Sequence, residues 1–172
     1  MKIHIRSYEV HNIEQALSDC LVDTAFGCRE INDVITPSIS NEAVTEYAVG
    51  HRKKLPAILP YEIAEALTTL GASRDVIRIE EPSEAVTRLD TVNLATQTKA
   101  IMGSNGRKRA SLVARPNHSP WLDYVCGQAG IETVAPTGLS GVSVDEQSAQ
   151  YWTRSLADWQ SKVSARQRAH EV

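Results

Sequence analysis

His118 is the residue of this sequence whose type and position best suit a chemical role. It lies in a turn over residues 115–120, between an apolar run at Ala110 to Ala114 and a helical pattern. A histidine in such a turn can act as an acid or a base near neutral pH, or donate a hydrogen bond to a phosphate or carboxylate. A histidine that only caps the helix or bonds to the turn backbone fits the same pattern equally well.

Other polar residues come directly after predicted strands, where a parallel sheet binds its ligands, near the point at which the strand order reverses. After the four strands that precede the last one, these residues are Thr36, Pro37, Ser38 and Ser40; Pro60, Tyr61 and Glu62; Glu80, Glu81 and Ser83; and Arg115, Asn117, His118 and Ser119.

Two of these carboxylates suggest a specific chemistry. Glu62 and Glu80 could form a carboxylate pair with His118, which would suffice for proton transfer or for a single divalent ion. Glutamates at helix starts also serve simply to interact with the helix dipole, so this alternative remains open.

Several well-known site signatures are missing from the chain. There is no GxGxxG after a strand, no GxxxxGK[ST], no GxSxG and no HExxH, so a standard dinucleotide site, a P-loop, an esterase elbow and a zincin site are not expected. The glycine-containing stretch over residues 103–106, followed by the basic residues 107–109, joins a helix to the amino edge of the sheet. We interpret it as a solvated turn.

The candidate residues depend on a set of elements that the hydrophobic spacing predicts. An N-terminal helix carries Ile13, Ala16, Leu17, Cys20 and Leu21, and a long C-terminal helix over 143–170 begins with a Ser143/Glu146 capping box. The predicted strands are 31–36, 55–59 (weak), 76–79, 110–114 and 131–135, and the helices between them begin near Asn41, Pro60, Val92 and Leu122.

Strands alternating with helices predict an α/β fold, a Rossmann-like three-layer sandwich whose mostly parallel sheet has about five strands. We expect a single α/β domain over 1–172, with a helical extension over 1–30, a core over 31–136 and the C-terminal helix. Trp152 and Trp159 lie seven residues apart on one face of that last helix. Core packing or a homodimer contact explains this spacing better than a base-stacking surface.

Composition excludes several partners. The 172 residues carry a formal net charge of −3 and are 42% hydrophobic, so neither disorder nor nucleic-acid binding is expected. No secretory signal follows Met1, and no run approaches the ~20 apolar residues of a membrane span, so we expect a cytoplasmic protein with no membrane partner. Cys20, Cys28 and Cys126 form no CxxC motif and are interpreted as free thiols, with Cys126 packed in the core.

The stretch from Glu80 to Pro136 resembles the YdcF/SanA-like family, also called the DUF218 domain. The resemblance rests on a box over Asp90 to Ala95 that is similar to the family's NTxENA, and on a buried strand ending in a turn that contains His118. Upstream, Tyr61 to Ala64 is similar to the family's SEA box, and residues 33–36 match its first strand. The family's Arg three residues after the His is Trp121 in this sequence.

The resemblance implies a Rossmann-like fold and a ligand at the strand ends, and at least one member of the family binds S-adenosylmethionine. We therefore hypothesise a nucleotide-like or polar metabolite as ligand, with S-adenosylmethionine a candidate, and a transferase or hydrolase activity with His118 as acid or base. The residues expected to bind or act on it are His118, Glu80 and Glu62, with Ser38, Ser83, Asp90, Thr91, Asn93 and Asn117 around them. The alternative hypothesis is a non-catalytic interaction module, or a homodimer, formed through the terminal helices.

Overall fold

The protein is described by a computed structural model, which covers residues 18–24, 28–32, 34–51, 55–69, 75–79, 91–115, 118–134 and 144–162. The strands are β1 (Cys20–Asp23), β2 (Cys28–Ile31), β3 (Val34–Pro37), β4 (Ala57–Pro60), β5 (Val76–Ile79), β6 (Arg109–Val113) and β7 (Glu132–Val134). The helices are α1 (Ile39–His51), α2 (Tyr61–Thr69), α3 (Thr91–Ser104), α4 (Ser119–Gln128) and α5, which includes residues 156–162. Within these ranges, no helix is long and apolar enough to cross a membrane.

Five strands form one parallel sheet in the order β5-β4-β1-β6-β7. The central strand β1 pairs with β4 on one side, where Leu21 lies opposite Ala57, and with β6 on the other, where Leu21 lies opposite Ser111. This arrangement confirms the predicted α/β fold with a Rossmann-like parallel sheet. In this order β4 and β5 lie on one side of β1, and β6 and β7 lie on the other.

Helices cover both faces of the sheet because its short strands are apolar on both sides. Cys20 and Val22 belong to a buried cluster with residues of α3 and α4, whereas Leu21 packs with Val44 of α1 and with apolar residues of α2. Alternate residues of one strand therefore serve opposite layers. Burying a side chain such as Leu21 contributes about 2 kcal/mol to stability.

The predicted N-terminal helix is wrong at its carboxyl end, because Cys20 and Leu21 lie in β1. Residues 13, 16 and 17 of that prediction lie outside the described residues. The core consequently begins before residue 31, where the sequence pattern indicates its start. A four-residue run that is buried on both faces has no alternation of apolar and polar positions, so the helical spacing upstream dominates the pattern.

The predicted strand over 31–36 is also corrected. This stretch is part of an antiparallel hairpin of β2 and β3, a two-stranded sheet separate from the main one, in which Arg29 lies opposite Thr36. Ile31 is exposed, and Asn32 at the turn adopts a left-handed conformation with φ 52°. Asparagine tolerates that conformation better than most residues, which suits a tight hairpin turn.

The long C-terminal helix is shorter than the sequence predicts. Residues 144–150 are not helical, Tyr151–Thr153 form a 3-10 turn, and α5 begins only at residue 156. Its capping residue is Ser155, whose Oγ accepts a hydrogen bond from the Asp158 backbone N–H at 3.1 Å. Ser143 of the predicted capping box lies outside the described residues.

The remaining elements follow the prediction closely. The strand over Val76–Ile79 is confirmed residue for residue, and α2, α3, β6, α4 and β7 lie where the spacing indicates them. Pro60 ends β4 instead of opening the next helix. Gly106, with φ 65°, completes the turn between α3 and the amino end of β6, as expected for a solvated turn away from the site edge.

Candidate functional site

The strand order reverses at β1, so the carboxyl ends of β1 and β6 flank the crevice where ligands bind in sheets of this kind. Asp23, the last residue of β1, lies opposite Val113, the last residue of β6. The residues that follow these two strand ends form the candidate site. Several polar side chains among them are buried.

His118 follows β6 and is buried, with 3% of its surface exposed. Its backbone N–H donates to the carbonyl of Arg115 at 2.8 Å, which closes the turn into α4. The ring makes no capping hydrogen bond to α4, so the interpretation of His118 as a side-chain helix cap is not supported. Instead its Nε2 lies 3.4 Å from Oγ1 of Thr91, and the ring meets the Trp159 ring edge-on at 4.7 Å between centroids.

Thr91 and Trp159 come from distant parts of the chain to reach this histidine. Thr91 is the first residue of α3 and is largely buried, so it contributes a hydroxyl at a helix amino terminus. Trp159 lies on α5 and is 7% exposed. Together the two side chains fix the plane of the imidazole and leave it little contact with solvent.

Asp23 is the site residue that the sequence pattern does not reveal. It is fully buried, and one carboxylate oxygen, Oδ1, accepts a hydrogen bond from the Thr24 backbone N–H at 2.5 Å. The other oxygen, Oδ2, has no hydrogen-bond partner among the described residues. Burial raises the pKa of this carboxyl well above its ordinary value, and the hydrogen bond from Thr24 opposes that rise only in part.

The first turns of α1 bury further polar side chains next to this edge. Ser38 is fully buried, and its Oγ accepts a hydrogen bond from the backbone N–H of Asn41 at 3.2 Å, so Ser38 and not Asn41 caps the helix. Asn41 and Thr45 are also fully buried. Serine, asparagine and threonine are mostly exposed in proteins, so this helix buries more polar side chains near its start than is usual.

Arg115 adds a buried cation after β6. Its side chain is 3% exposed, and burial lowers the pKa of its guanidinium. In the chain it lies two residues after Val113, the last residue of β6, and three residues before His118. A buried guanidinium is a common partner of anionic ligand groups.

The segment after β7 ties the hairpin and α1 together. Asp145 accepts hydrogen bonds from Nε of Arg29 at 2.7 Å and from the backbone N–H of Ile39 at 3.1 Å. Burial of Asp145 opposes its ionisation, but the hydrogen bonds from Arg29 and from backbone N–H groups outweigh burial and lower its pKa. Three residues later, Ser148 Oγ donates to the carbonyl of Cys28 at 3.1 Å. The connection holds the hairpin that follows β1 in place.

Only some of the predicted site residues lie in the described part of the structure, and only some of those come together. It brings Thr91 and His118 together and buries Ser38 directly before α1, whereas Asn93 is exposed on α3. Glu62 lies in the first turn of α2, but its side chain is outside the described part of the structure. The predicted residues outside the described ranges are Glu80, Ser83, Asp90 and Asn117.

Metal ligands and reactive thiols are not found in the part of the chain that the structure describes. No group of three or more His, Cys, Asp or Glu side chains comes together there. The three cysteines are buried and form no disulfide among the described residues, and burial raises the pKa of Cys20 to about 11 and that of Cys126 to about 12. These values keep both thiols protonated, and Cys126 packs in the core as expected.

Comparison with known proteins found no matching family model, no matching curated protein and no matching solved structure. The resemblance to the YdcF/SanA-like family therefore remains an expectation from motifs. The residues matched to that family's first strand belong to the hairpin, not to the main sheet. The geometry of the sheet edge is consequently the basis for inferring a function.

Proposed function

We propose that this protein binds a small polar or nucleotide-like metabolite at the carboxyl ends of β1 and β6. One observation carries the proposal: the residues that end or follow these two strands, at the reversal of strand order, include side chains that are polar and buried. Asp23 is fully buried there and His118 is 3% exposed. Burying the Asp23 carboxyl costs free energy unless both of its oxygens find partners, and a polar ligand would supply one for Oδ2, which has none among the described residues.

The roles of the individual residues follow from their chemistry. His118 would donate to an anionic group or transfer a proton, with Thr91 beside it to bind a hydroxyl or amine. Arg115 would serve an anionic part of the ligand. S-adenosylmethionine is one candidate ligand, and a transferase or a hydrolase is the reaction class proposed if the protein is catalytic.

The homodimer alternative has less support than the ligand site. It depends on an exposed face with Trp152 and Trp159, yet Trp159 packs on His118 of the same chain. Trp152 is only partly buried but packs against the same core cluster. These rings therefore contribute to the fold of a single chain.

A thermal-shift panel tests the proposal. It would contain S-adenosylmethionine, adenine nucleotides, sugar phosphates and divalent metals, with wild-type protein, His118→Gln and Ile131→Val. Ile131 precedes β7 at the amino edge of the sheet and is buried, so Ile131→Val is a control that costs about 1 kcal/mol without touching the site. A compound at a hundred times its Kd stabilises by about 2.7 kcal/mol, a rise of roughly 5 to 10 °C for a domain of this size.

We expect at least one compound to raise the melting temperature of wild type and Ile131→Val and to act less on His118→Gln. If none of the compounds shifts wild type, the proposal of a metabolite site fails. If one shifts all three proteins equally, the ligand binds elsewhere.

A further inference from the structure

We propose that Asp23 is the recognition group for a positively charged centre of the ligand, such as an ammonium, guanidinium or sulfonium. The inference rests on the proposed function and deepens it by naming the chemical class that the site accepts. It concerns a residue of β1 that sequence patterns assign to a region before the fold's core.

Asp23 lies where a sheet of this topology binds its ligands. It ends the central strand and lies opposite Val113 at the point where the strand order reverses. Because side chains alternate along a strand, Asp23 shares its face with Leu21. Leu21 packs with Val44 of α1, so Asp23 lies on the face of the sheet that α1 covers.

The hydrogen bonding of the Asp23 carboxyl is incomplete. An ionised carboxylate can accept about four hydrogen bonds. Asp23 accepts one, from the Thr24 backbone N–H, and its Oδ2 has no partner among the described residues although the side chain is fully buried. A single backbone donor needs only one acceptor, which an asparagine would provide equally well. The second oxygen therefore lacks a structural role in the described part of the chain.

Asp145 is a buried carboxylate of the same protein in which both oxygens accept hydrogen bonds. It is 3% exposed, and both of its oxygens are used by Arg29, at 2.7 and 3.1 Å, and by backbone N–H groups. Its pKa is lowered because these hydrogen bonds outweigh burial. Asp23 is equally enclosed but has no such cation among the described residues, and its pKa is raised by burial. The two sites therefore differ in that only Asp145 has a described positively charged partner.

No ionisable group in the described part of the chain supplies that charge to Asp23. Arg115 and His118 follow the neighbouring strand, and α1 carries Glu42 and Glu46, both exposed. None of them contributes to the shift in the pKa of Asp23, which has burial as its largest cause. A cationic ligand centre would complete the pair. On binding, the O–H bond of the Asp23 carboxyl breaks, the proton leaves to the buffer, and the carboxylate pairs with the cation.

Two matched ligand pairs test the inference by calorimetric titration at pH 6, 7 and 8. One pair is S-adenosylmethionine and S-adenosylhomocysteine, which differ in the sulfonium charge, and the other is 5′-amino-5′-deoxyadenosine and adenosine. The proteins are wild type, Asp23→Asn and Asp19→Asn. Asp23→Asn keeps an acceptor for Thr24, and Asp19 is an exposed residue that directly precedes β1, at the strand's opposite end.

We expect the charged member of at least one pair to bind wild type at least ten-fold more tightly than its neutral partner. Its affinity should rise with pH, with release of up to one proton, and fall at least ten-fold in Asp23→Asn but not in Asp19→Asn. Equal binding of both members, or unchanged binding by Asp23→Asn, overturns the inference while the metabolite site stands. If neither these compounds nor any compound of the thermal-shift panel binds, both the inference about Asp23 and the proposed metabolite site are overturned.

A measurement without ligand provides a separate check. The side-chain carboxyl of Asp23 can be followed by carbon NMR during a pH titration of the wild-type protein. We expect its pKa to lie well above the ordinary value near 4. Titration at the ordinary value would mean that the carboxyl is hydrated or already paired, and would overturn the inference regardless of which compounds bind.

Discussion

Replacement of Asp23 by asparagine should stabilise the ligand-free protein, and the gain should grow with pH. Asparagine has nearly the same shape as aspartate and retains an acceptor for the Thr24 N–H, which Asp23 bonds at 2.5 Å. It removes only the ability to ionise. The comparison therefore isolates the cost of holding a carboxyl in a fully buried position.

The sign of the effect is set by proton linkage. The pKa of Asp23 is raised in the folded state by burial, whereas in the unfolded chain it lies near 4. The stabilising contribution of the protonated carboxyl is fully present below pH 4 and is lost as the pH rises towards the folded-state pKa. Through that window the folded protein holds one proton more than the unfolded chain.

One proton of difference sets the size of the effect. The free energy of unfolding of wild type, relative to Asp23→Asn, falls by about 1.4 kcal/mol for each pH unit within the window. For a domain of this length that corresponds to roughly 3 to 5 °C in melting temperature per pH unit. Above the folded-state pKa the difference becomes constant.

The assay is thermal unfolding of both proteins without ligand between pH 4 and pH 8. Asp19→Asn serves as the control, and its stability difference from wild type should stay flat across this range. Hydrogen bonds from the backbone N–H groups of Lys108 and Arg109 lower the pKa of Asp19, so its stabilisation is present above pH 4 and lost as the pH falls. A stability difference between wild type and Asp23→Asn that is flat across this range would refute the burial argument.

Two further variants test how the C-terminal segment supports the site. Asp145→Asn should lower the melting temperature by about 3 to 6 °C at pH 7, because it weakens the hydrogen bonds from Arg29 and Ile39, and calorimetric scans of both proteins would check it. Ser155→Ala removes the acceptor for the Asp158 N–H and should cost about 1 kcal/mol, seen as faster amide hydrogen exchange over residues 156–162. Unchanged exchange there would show that tertiary contacts, and not the cap, hold α5.

The sequence predicts well those elements whose ends are marked by local signals, such as glycines or polar segments. Val76–Ile79 is confirmed because a short run of β-branched residues, interrupted only by Arg78, stands between polar segments. The helix over Thr91–Ser104 ends where Gly103 and Gly106 make continuation unfavourable, and Gly106 has the positive φ that glycine adopts readily. Local sequence signals are sufficient to predict an element where the hydrophobic spacing fits only one type of secondary structure.

Elements without such local signals are not predicted from the sequence. In β1 all of the residues from Cys20 to Asp23 are buried, so no alternation of buried and exposed positions marks the strand. The three- and four-residue spacing before it favours a helix, and Asp23 therefore does not stand out as a strand-end residue. His118 does stand out, because it follows β6, whose apolar run is closed by a turn.

The distance along the chain between β1 and its partners has a consequence for how the protein folds. The amino end of β1 is fixed through Asp19, which bonds the backbone of Arg109, 90 residues later, and Leu21 pairs with Ala57 on the other side. The central strand can gain its β6 neighbour only after most of the described chain has been synthesised. Non-local pairing of this kind slows folding, and until β6 is made the segment Cys20–Asp23 lacks its neighbour on that side and is open to aggregation.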